Sequence, residues 1–368
     1  MTAASRLLRG GQGAGEGTRR GSRWRGAAAL LLAAVGGCGG SPGGGTTGRG
    51  DDDRLAALPL DPAAVTVSGI SSGGYMAVQF HVAHSSLVQG AGVLAAGPYL
   101  CAMGSLRLAI GRCMKGDEEI PTDRLVSETS QLALEGSVDP IAGLADDRVW
   151  IFRGAADPVV ARPVVDALET YYGTLVRPEN VTRIEHPGAG HVFPTADDQA
   201  PNGCWGADSP FVGNCGLDGA RALLEHLYGA LEAGGTPEPA GLREFDQRPY
   251  ARVSGSEALA GRGWLFVPPG CEAGSAGRCR LHVVFHGCKQ GSPFVKDAFV
   301  RRAGYLEVAA ANRIVLLFPQ IQQGFQPLNP YGCWDYWGYE GEEYATQRGL
   351  QVAAVHAMVA DLLGGTRD

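Results

Sequence analysis

The stretch VTVSGISSGGYMAVQF, residues 65–80, decides the fold. A short apolar run stops at a glycine, paired serines and glycines follow, and a helix-like run then begins. Residues 69–73 match G-x-S-x-G, in which a sharp strand-to-helix turn raises a serine to a strained apex between small residues. The register selects Ser71, because Ile70 stands where a pattern centred on Ser72 would need glycine. We therefore predict a nucleophilic serine at Ser71; the alternative is a glycine-rich turn with a capping serine.

Length and composition are those of a folded globular chain with an acidic body. The chain has 368 residues, of which 45% are hydrophobic, enough for one large domain or two ordinary ones. The net charge is −7, but residues 1–37 carry six arginines and one glutamate, so the remainder has a net charge of −12. An acidic surface argues against nucleic acid or an anionic membrane as the main partner.

The first 54 residues are typical of an export signal followed by a tether. The apolar run AAALLLAAV (27–35) is too short to cross a bilayer but has the length of a secretory signal core. It ends in VGGC, which resembles the lipobox of bacterial lipoproteins, so we predict a lipoprotein-type signal peptide over 1–37 and lipidation of Cys38. Ordinary cleavage nearby, with Cys38 incidental, is the alternative. The glycine-rich residues 38–54 predict a disordered tether, followed by a single domain over 55–368.

The remaining cysteines predict disulfides. Eight cysteines follow Cys38, and an even number in an exported chain favours pairing. Proximity in the sequence suggests three pairs and leaves a fourth, long-range one: Cys101–Cys113, Cys204–Cys215, Cys271–Cys279 and Cys288–Cys333. We expect no metal, because no C-x-x-C or closely spaced histidine pair accompanies these residues.

The pattern of apolar runs predicts an α/β fold. Seven runs resemble strands, and several are continuously apolar, as in strands buried on both faces of a mostly parallel sheet. The predicted strands are Val65–Val67, Ala91–Ala96, Val149–Phe152, Val181–Glu185, Trp264–Val267, Leu281–Phe285 and Ile314–Phe318. Helix-like segments lie between them, which predicts helices flanking the sheet. The predicted helices are Tyr75–His84, Val164–Tyr172, Gly219–Glu232, Phe299–Asn312 and Thr346–Leu363.

A nucleophilic serine needs a base and an orienting carboxylate, which in this fold class follow it in the order acid, then histidine. Asp157 stands just past the strand Val149–Phe152, and its alternative role is that of a turn residue before proline. His191 stands in a glycine-rich loop beyond the next strand. His186 competes with it but lies at the strand end, so we predict the triad Ser71, Asp157 and His191.

An oxyanion hole would complete the site. One donor should be the backbone N–H of Ser72, the residue after the nucleophile. The second donor usually follows an earlier strand, yet the strand and HG loop that could supply it, RLHVVFHGCKQG (280–291), come after the triad. The N–H of Cys288 is the natural donor, and a disulfide to Cys333 would brace the loop. The element order is then the usual α/β-hydrolase order, cut open before the nucleophile strand. The alternative is that the HG pair is a common turn and that Cys288 is only structural.

Several motifs spread over residues 62–363 carry a family resemblance: GISSGGYMA, GAADPVV, GAGHVFP, RLHVVFHGCKQG and NPYGCWDYWGY. Together they resemble the circularly permuted, single-domain poly(3-hydroxybutyrate) depolymerases. The resemblance implies a circularly permuted α/β-hydrolase fold, with the triad and oxyanion hole on the residues named above. It also implies a shallow apolar crevice lined by a tryptophan of the C-terminal motif. Trp334 and Trp337 both fit, with Trp334 preferred because it adjoins Cys333.

The expected activity is that of a serine esterase acting on poly(3-hydroxybutyrate) or its oligomers, either secreted or lipid-anchored. A carbohydrate esterase that removes feruloyl or acetyl groups is the first alternative, and a non-catalytic surface lipoprotein that binds a hydrophobic ligand is the second. We expect no cofactor, because a Ser/Asp/His triad needs none. We further expect a monomer located outside the cell or in the periplasm, with no nucleic-acid partner.

Overall fold

The computed structural model describes residues 54–237 and 239–365. The predicted signal peptide (1–37), nearly all of the predicted tether (38–54) and the predicted lipidation site Cys38 lie outside the described residues.

The strands of the described residues form one large sheet and two small ones. The strands are β1 (Leu60–Ile70), β2 (Val88–Leu94), β3 (Arg148–Gly154), β4 (Val181–His186), β5 (Phe193–Thr195), β6 (Asn202–Gly203), β7 (Val212–Asn214), β8 (Leu242–Asp246), β9 (Arg262–Phe266), β10 (Cys279–Phe285), β11 (Ile314–Phe318), β12 (Gly324–Phe325) and β13 (Leu328–Asn329).

The large sheet has eight strands in the order β4-β3-β2-β1-β10-β11-β9-β8. The six strands from β4 to β11 are parallel, whereas β9 is antiparallel to both β11 and β8. The register pairs Gly69 of β1 with Phe285 of β10, so both strands end at the same edge of the sheet. Loops that follow the carboxyl ends of adjacent parallel strands meet at that edge, which is where ligands bind in such sheets.

Helices cover the sheet, as expected for an α/β fold. They are α1 (Ser72–Ala83), α2 (Leu106–Ile110), α3 (Thr122–Leu134), α4 (Arg162–Leu175), α5 (Gly219–Tyr228), α6 (Arg248–Ser254), α7 (Ser292–Val295), α8 (Ala298–Arg302), α9 (Tyr305–Asn312) and α10 (Leu350–Leu363), with a π-helical turn at Gly111–Lys115 and 3₁₀ turns at Ile141–Asp146, Pro178–Asn180 and Pro239–Gly241. None of the helices in the described ranges combines the length and apolar character that a membrane crossing requires.

The predicted mostly parallel sheet with flanking helices is confirmed, although several elements differ in their bounds or were not predicted. The helix predicted over Phe299–Asn312 is broken, because Gly304 has a φ of +84° and separates α8 from α9. Strand β8 was not predicted, since it lies at the sheet edge and has only two buried residues, separated by two exposed charged ones. Helix α3 was also not predicted, because most of its residues are polar or partly exposed.

The structure joins the eight described cysteines in four disulfides. The pairs are Cys101–Cys113, Cys204–Cys215, Cys271–Cys279 and Cys288–Cys333, which are the pairs expected from their spacing. Three of them close loops of 12 residues or fewer, whereas Cys288–Cys333 links segments 45 residues apart. Four disulfides fit a protein that folds in an oxidising compartment.

A buried polar network locks the two central strands together. The His282 side chain of β10 is fully buried, with Nδ1 2.7 Å from the Thr66 hydroxyl and Nε2 2.7 Å from the Ser68 hydroxyl of β1. The Ser68 hydroxyl is also 2.6 Å from the Tyr305 hydroxyl. Each polar atom therefore has a partner where water has no access, as a stable interior requires. The network fixes the strand that leads to Ser71 against the strand that leads to Cys288.

The stability of the protein should fall in mild acid. Burial lowers the pKa of His84 and of His282 to about 3 and that of His286 to about 4, so all three are neutral in the folded state at pH 5. In the unfolded chain they bind protons near pH 6.5. The free energy of unfolding should therefore be level above pH 7 and decline as the pH falls from about 6.5 toward 4. Burial also lowers the pKa of His226 and of His356. It raises the pKa of Asp335 to about 6 and raises that of Glu307, which acts in the opposite direction, but these are two carboxyls against five histidines.

Urea unfolding followed by circular dichroism at pH 7.5 and pH 5.0 measures this decline. We expect a lower midpoint at pH 5.0, with an unchanged dependence of the free energy on urea concentration. An equal or higher midpoint at pH 5.0 would contradict the buried, neutral state of these histidines.

Candidate active site

Ser71 occupies a strained turn between β1 and α1. Its φ is 58° and its ψ is −125°, a backbone conformation that residues with a side chain rarely adopt. A Cβ on Gly69 would lie 2.1 Å from the carbonyl oxygen of Gly73, and a Cβ on Gly73 would lie 2.3 Å from that of Phe285. Both glycines are thus required by close backbone approach, which is the steric reason for the G-x-S-x-G pattern.

Backbone hydrogen bonds hold this turn in place. The N–H of Ser71 donates to the carbonyl oxygen of Leu94 at the end of β2, at 2.9 Å, and the carbonyl of Ser71 accepts from the N–H of Tyr75 at 3.1 Å. The serine thus stands at the amino end of α1, where unpaired N–H groups and the helix dipole favour negative charge. The buried N–H of Ser72 belongs to this first turn.

Asp157 and His191 form a hydrogen-bonded pair after β3 and β4. Nδ1 of His191 lies 2.8 Å from Oδ2 of Asp157, whose side chain is completely buried. Oδ1 of Asp157 accepts from the N–H groups of Val159 and Val160 at 2.7 and 3.0 Å. A carboxylate facing Nδ1 places the imidazole proton there and leaves Nε2 as a base. Asp157 is thus both a turn residue and the orienting partner of His191.

The competing histidine, His186, lies elsewhere. It stands at the end of β4. Its Nδ1 accepts from the N–H of Gly188 at 3.3 Å and lies 3.6 Å from Sγ of Cys204. His186, Cys204 and Cys215 have potential ligand atoms within 4.8 Å of one another. Because the two cysteines form a disulfide, this cluster does not offer the thiolates that a zinc site uses.

The loop after β10 approaches the nucleophile closely. A Cβ on Gly287 would lie 3.3 Å from the carbonyl oxygen of Ile70 and 3.4 Å from Cβ of Ser71, so only a residue without a side chain allows this approach without displacement. Ser71, His191, Gly287 and Cys288 line one small depression. The late HG loop and the early serine are therefore brought together, as the sequence predicts.

His286 fixes the peptide that carries the predicted second oxyanion donor. Its Nδ1 lies 2.7 Å from the carbonyl oxygen of Gly287, and its Nε2 accepts from the N–H of Ile321 at 3.1 Å. Because Nε2 is an acceptor, the proton of the neutral ring is on Nδ1. The carbonyl of Gly287 and the N–H of Cys288 belong to the same planar peptide, so holding one orients the other.

The Cys288–Cys333 disulfide ties this loop to the C-terminal motif, with the two Cα atoms 4.2 Å apart. The N–H of Lys289 adds a hydrogen bond to the carbonyl of Tyr331 at 2.7 Å. Cys333 is itself held by Asn329, whose Oδ1 accepts from its N–H and whose Nδ2 donates to its carbonyl. The loop is therefore anchored on both sides of the predicted donor.

The preference for Trp334 as the substrate-contacting tryptophan is wrong for this structure. The Trp334 side chain is 0% exposed and packs edge-to-face on Phe285, with centroids 5.0 Å apart, so it belongs to the core. Trp337 is half-buried and contacts Tyr336 with centroids 4.9 Å apart. Tyr336 in turn stacks on Tyr75 of α1 at 4.3 Å. Trp337 therefore remains the predicted contact to substrate.

Two residues of the depression were not singled out from the sequence: Phe211 and Gln290. The Phe211 ring packs edge-on against the imidazole of His191, with centroids 6.4 Å apart. Gln290 is buried behind the HG loop. Its position three residues after Gly287 is the available signal, since a glutamine at that spacing can bond the backbone of a tight loop.

Comparison with known proteins decides the family. The sequence matches no protein-family model. It is 34% identical over 326 residues to a polyhydroxybutyrate depolymerase of Talaromyces funiculosus, covering 84% of this chain and 93% of that protein. The chain belongs to the poly(3-hydroxybutyrate) depolymerase family. A second member, a poly(3-hydroxybutyrate) depolymerase of Delftia acidovorans, is 42% identical over 315 residues, or 85% of this chain; the match spans only 62% of that longer protein.

Solved structures of the depolymerase family have the same fold. A PHB depolymerase from Penicillium funiculosum matches with a TM-score of 0.78 and 31% identity, covering 85% of this chain and all of that one. A serine-to-alanine variant of a PHB depolymerase, complexed with a trimer of (R)-3-hydroxybutyrate, matches with the same TM-score and coverage at 30% identity. These two depolymerases therefore share the fold of this chain, and the complex of one of them was solved with a serine replaced by alanine.

Proposed function

We propose that the protein hydrolyses ester bonds of poly(3-hydroxybutyrate) or its oligomers through an acyl-enzyme on Ser71. The observation that carries the proposal is the convergence of Ser71, the Asp157–His191 pair and the HG loop on one depression of a depolymerase-family fold. The complex of a family member with a hydroxybutyrate trimer supports the substrate class.

In the first half-reaction, Nε2 of His191 takes the proton of the Ser71 hydroxyl as Oγ attacks the ester carbonyl carbon. The amides of Ser72 and Cys288 hold the oxyanion of the tetrahedral intermediate. Collapse breaks the bond to the alkoxy oxygen, His191 returns its proton to that oxygen, and the hydroxyl end of the product leaves. Asp157 stabilises the imidazolium that forms in between.

In the second half-reaction, water replaces the alcohol. His191 takes a proton from water, hydroxide adds to the acyl carbon, and the same two amides hold the new oxyanion. Collapse breaks the bond to Ser71, which regains its proton from His191, and the carboxylic acid leaves. The triad and the two amides suffice for both steps.

The shape of the site supports a polymer substrate. The depression has a volume of only about 10 Å³, far below the roughly 300–1,000 Å³ of pockets that enclose small ligands. Two large apolar side chains are exposed on segments that are hydrogen-bonded to the site. Trp205 is 79% exposed and follows Cys204, whose carbonyl accepts from the N–H of Gly190. Tyr331 is also exposed, and its carbonyl accepts from the N–H of Lys289 in the HG loop. Exposed apolar groups around a shallow site favour contact with an apolar surface.

We also propose that the chain is a circular permutation of the usual α/β-hydrolase order. The nucleophile strand β1 comes first in the chain but fifth from the β8 edge, and its neighbour β10 arrives late. The late strands β8 to β11 fill one half of the sheet, which supports an order cut open before β1.

We further propose that the protein is exported. The disulfides of the described domain suit an extracellular or periplasmic protein. Lipidation of Cys38 would hold a monomeric enzyme at a membrane through the 38–54 tether. Incorporation of a labelled fatty acid into the protein, and its loss in Cys38→Ser, tests the anchor.

Clearing of a poly(3-hydroxybutyrate) suspension, with chromatography of the released acids, tests the function. We expect hydroxybutyrate oligomers or monomer from the wild-type protein and none from Ser71→Ala. Release of ferulate or acetate from plant polysaccharide without clearing would indicate a carbohydrate esterase instead. Failure to hydrolyse any ester or to react with a fluorophosphonate would indicate a binding protein.

A further inference from the structure

Gln290 joins the two halves of the site. Its side chain is 1% exposed and lies between the HG loop and the segment that contains Pro210 and Phe211. Oε1 accepts from the N–H of Gly287 at 2.6 Å. Nε2 donates to the carbonyl oxygen of Pro210 at 2.9 Å and lies 3.3 Å from that of Phe211. One buried amide therefore bonds two loops that are about 80 residues apart in the chain.

The orientation of this amide follows from its partners. The N–H of Gly287 can only donate, and the carbonyls of Pro210 and Phe211 can only accept. If the amide were turned over, its NH₂ group would face the N–H of Gly287, and its oxygen would face two carbonyl oxygens. The side chain therefore has a single satisfied arrangement, and its burial keeps bulk water from replacing a lost partner.

The segment at the other end of the bridge holds His191. The carbonyl of Phe211 accepts from the N–H of Phe193, two residues after His191, at 2.7 Å. The Phe211 ring also packs edge-on against the imidazole. A displacement of this segment would therefore move the predicted base relative to the nucleophile.

We propose that Gln290 is a positioning residue for the acyl transfer, which holds the Cys288 amide and the His191 imidazole in register with each other. This inference rests on the proposed esterase function. Its physical basis is preorganisation: oxyanion donors act only within a few tenths of an ångström of their productive distance. Deleting one donor typically costs on the order of 10²–10³ in rate, and loosening it should cost less.

Two substitutions test this role. Gln290→Met keeps the volume and removes all three hydrogen bonds, whereas Gln290→Glu keeps the acceptor toward Gly287 and removes the donor toward Pro210. We expect kcat on p-nitrophenyl butyrate to fall about 10- to 100-fold in both, with KM within about threefold. Reaction with a fluorophosphonate should slow by a similar factor, since it uses the same oxyanion hole.

The pH profile supplies a readout that a purely structural role would not move. In Gln290→Glu, a protonated carboxyl regains a donor toward Pro210 while still accepting from Gly287. The ratio of variant to wild-type kcat should therefore rise as the pH falls, and Gln290→Met should show no such recovery.

Gln347→Glu is the matched control. Its amide bonds the carbonyl of Ala83 at 2.9 Å and Asp139 at 2.8 Å, at the end of α1 away from Ser71. We expect it to lower stability without changing kcat. The inference is overturned if the Gln290 variants keep the wild-type kcat. It is also overturned if their loss of activity is no larger than the unfolded fraction that circular dichroism measures. If Ser71→Ala also keeps its activity, the proposed function itself fails.

Discussion

Replacing Ser71 with alanine should abolish ester hydrolysis while leaving the fold intact. We expect kcat on p-nitrophenyl butyrate to fall by on the order of 10⁴- to 10⁶-fold, since removal of a triad nucleophile leaves only binding and the oxyanion hole. Alanine keeps the Cβ, so the strained φ of 58° and the hydrogen bonds to Leu94 and Tyr75 stay as they are. The thermal midpoint should change by less than a few degrees.

Ser72→Ala is the matched control for this substitution. The Ser72 hydroxyl accepts a single 3.3 Å hydrogen bond from the N–H of Trp334, and its proposed role in the oxyanion hole belongs to its backbone. We expect activity within a few-fold of wild type. Retained hydrolysis in Ser71→Ala would show that Ser71 is not the nucleophile. Loss of hydrolysis in Ser72→Ala with the fold intact would show that the hydroxyl of Ser72 takes part in the reaction.

Replacing Asp157 with asparagine should have the second largest effect, about a 10⁴-fold loss of kcat near neutral pH. The reason lies in the two N–H donors of Val159 and Val160, which hold the carbonyl oxygen of an asparagine at the Oδ1 position. The amide NH₂ would then face Nδ1 of His191, which must become an acceptor. The ring proton moves to Nε2, so the imidazole cannot take the proton of Ser71.

Steady-state kinetics at pH 7.5 check this loss, with His186→Ala as the control. His186 lies at the end of β4 without a bond to Asp157, so its removal should leave kcat unchanged within a factor of about two. Full activity in Asp157→Asn, together with a large loss of kcat in His186→Ala, would indicate that His186 and not His191 is the base.

The parts of the fold that could be predicted from the sequence are those set by local sterics and burial. The turn at Ser71 was predictable because the close backbone approaches at Gly69 and Gly73 tolerate no side chain. The central strands were predictable because burial on both faces demands continuous apolar runs, as in β11. The order acid, then histidine, each after a strand, came from the fold class that the nucleophile motif indicates.

The remaining features depend on long-range packing that no local pattern records. Trp334 and Trp337 stand three residues apart in one aromatic motif, and only the packing of Trp334 on Phe285 of β10 separates core from surface. The bridge made by Gln290 depends on Pro210, which is distant in the chain. The break between α8 and α9 depends on one left-handed residue, Gly304, inside an apolar segment whose pattern predicts a continuous helix.

The most direct test of the account is a crystal structure of the protein after reaction with a fluorophosphonate. We predict that Oγ of Ser71 replaces the fluoride on phosphorus, with the phosphonyl oxygen about 2.7–3.1 Å from the backbone nitrogens of both Ser72 and Cys288. Nε2 of His191, which takes the proton of the serine, should lie beside Oγ. An adduct on another residue, or a phosphonyl oxygen turned away from the Cys288 amide, would contradict the account.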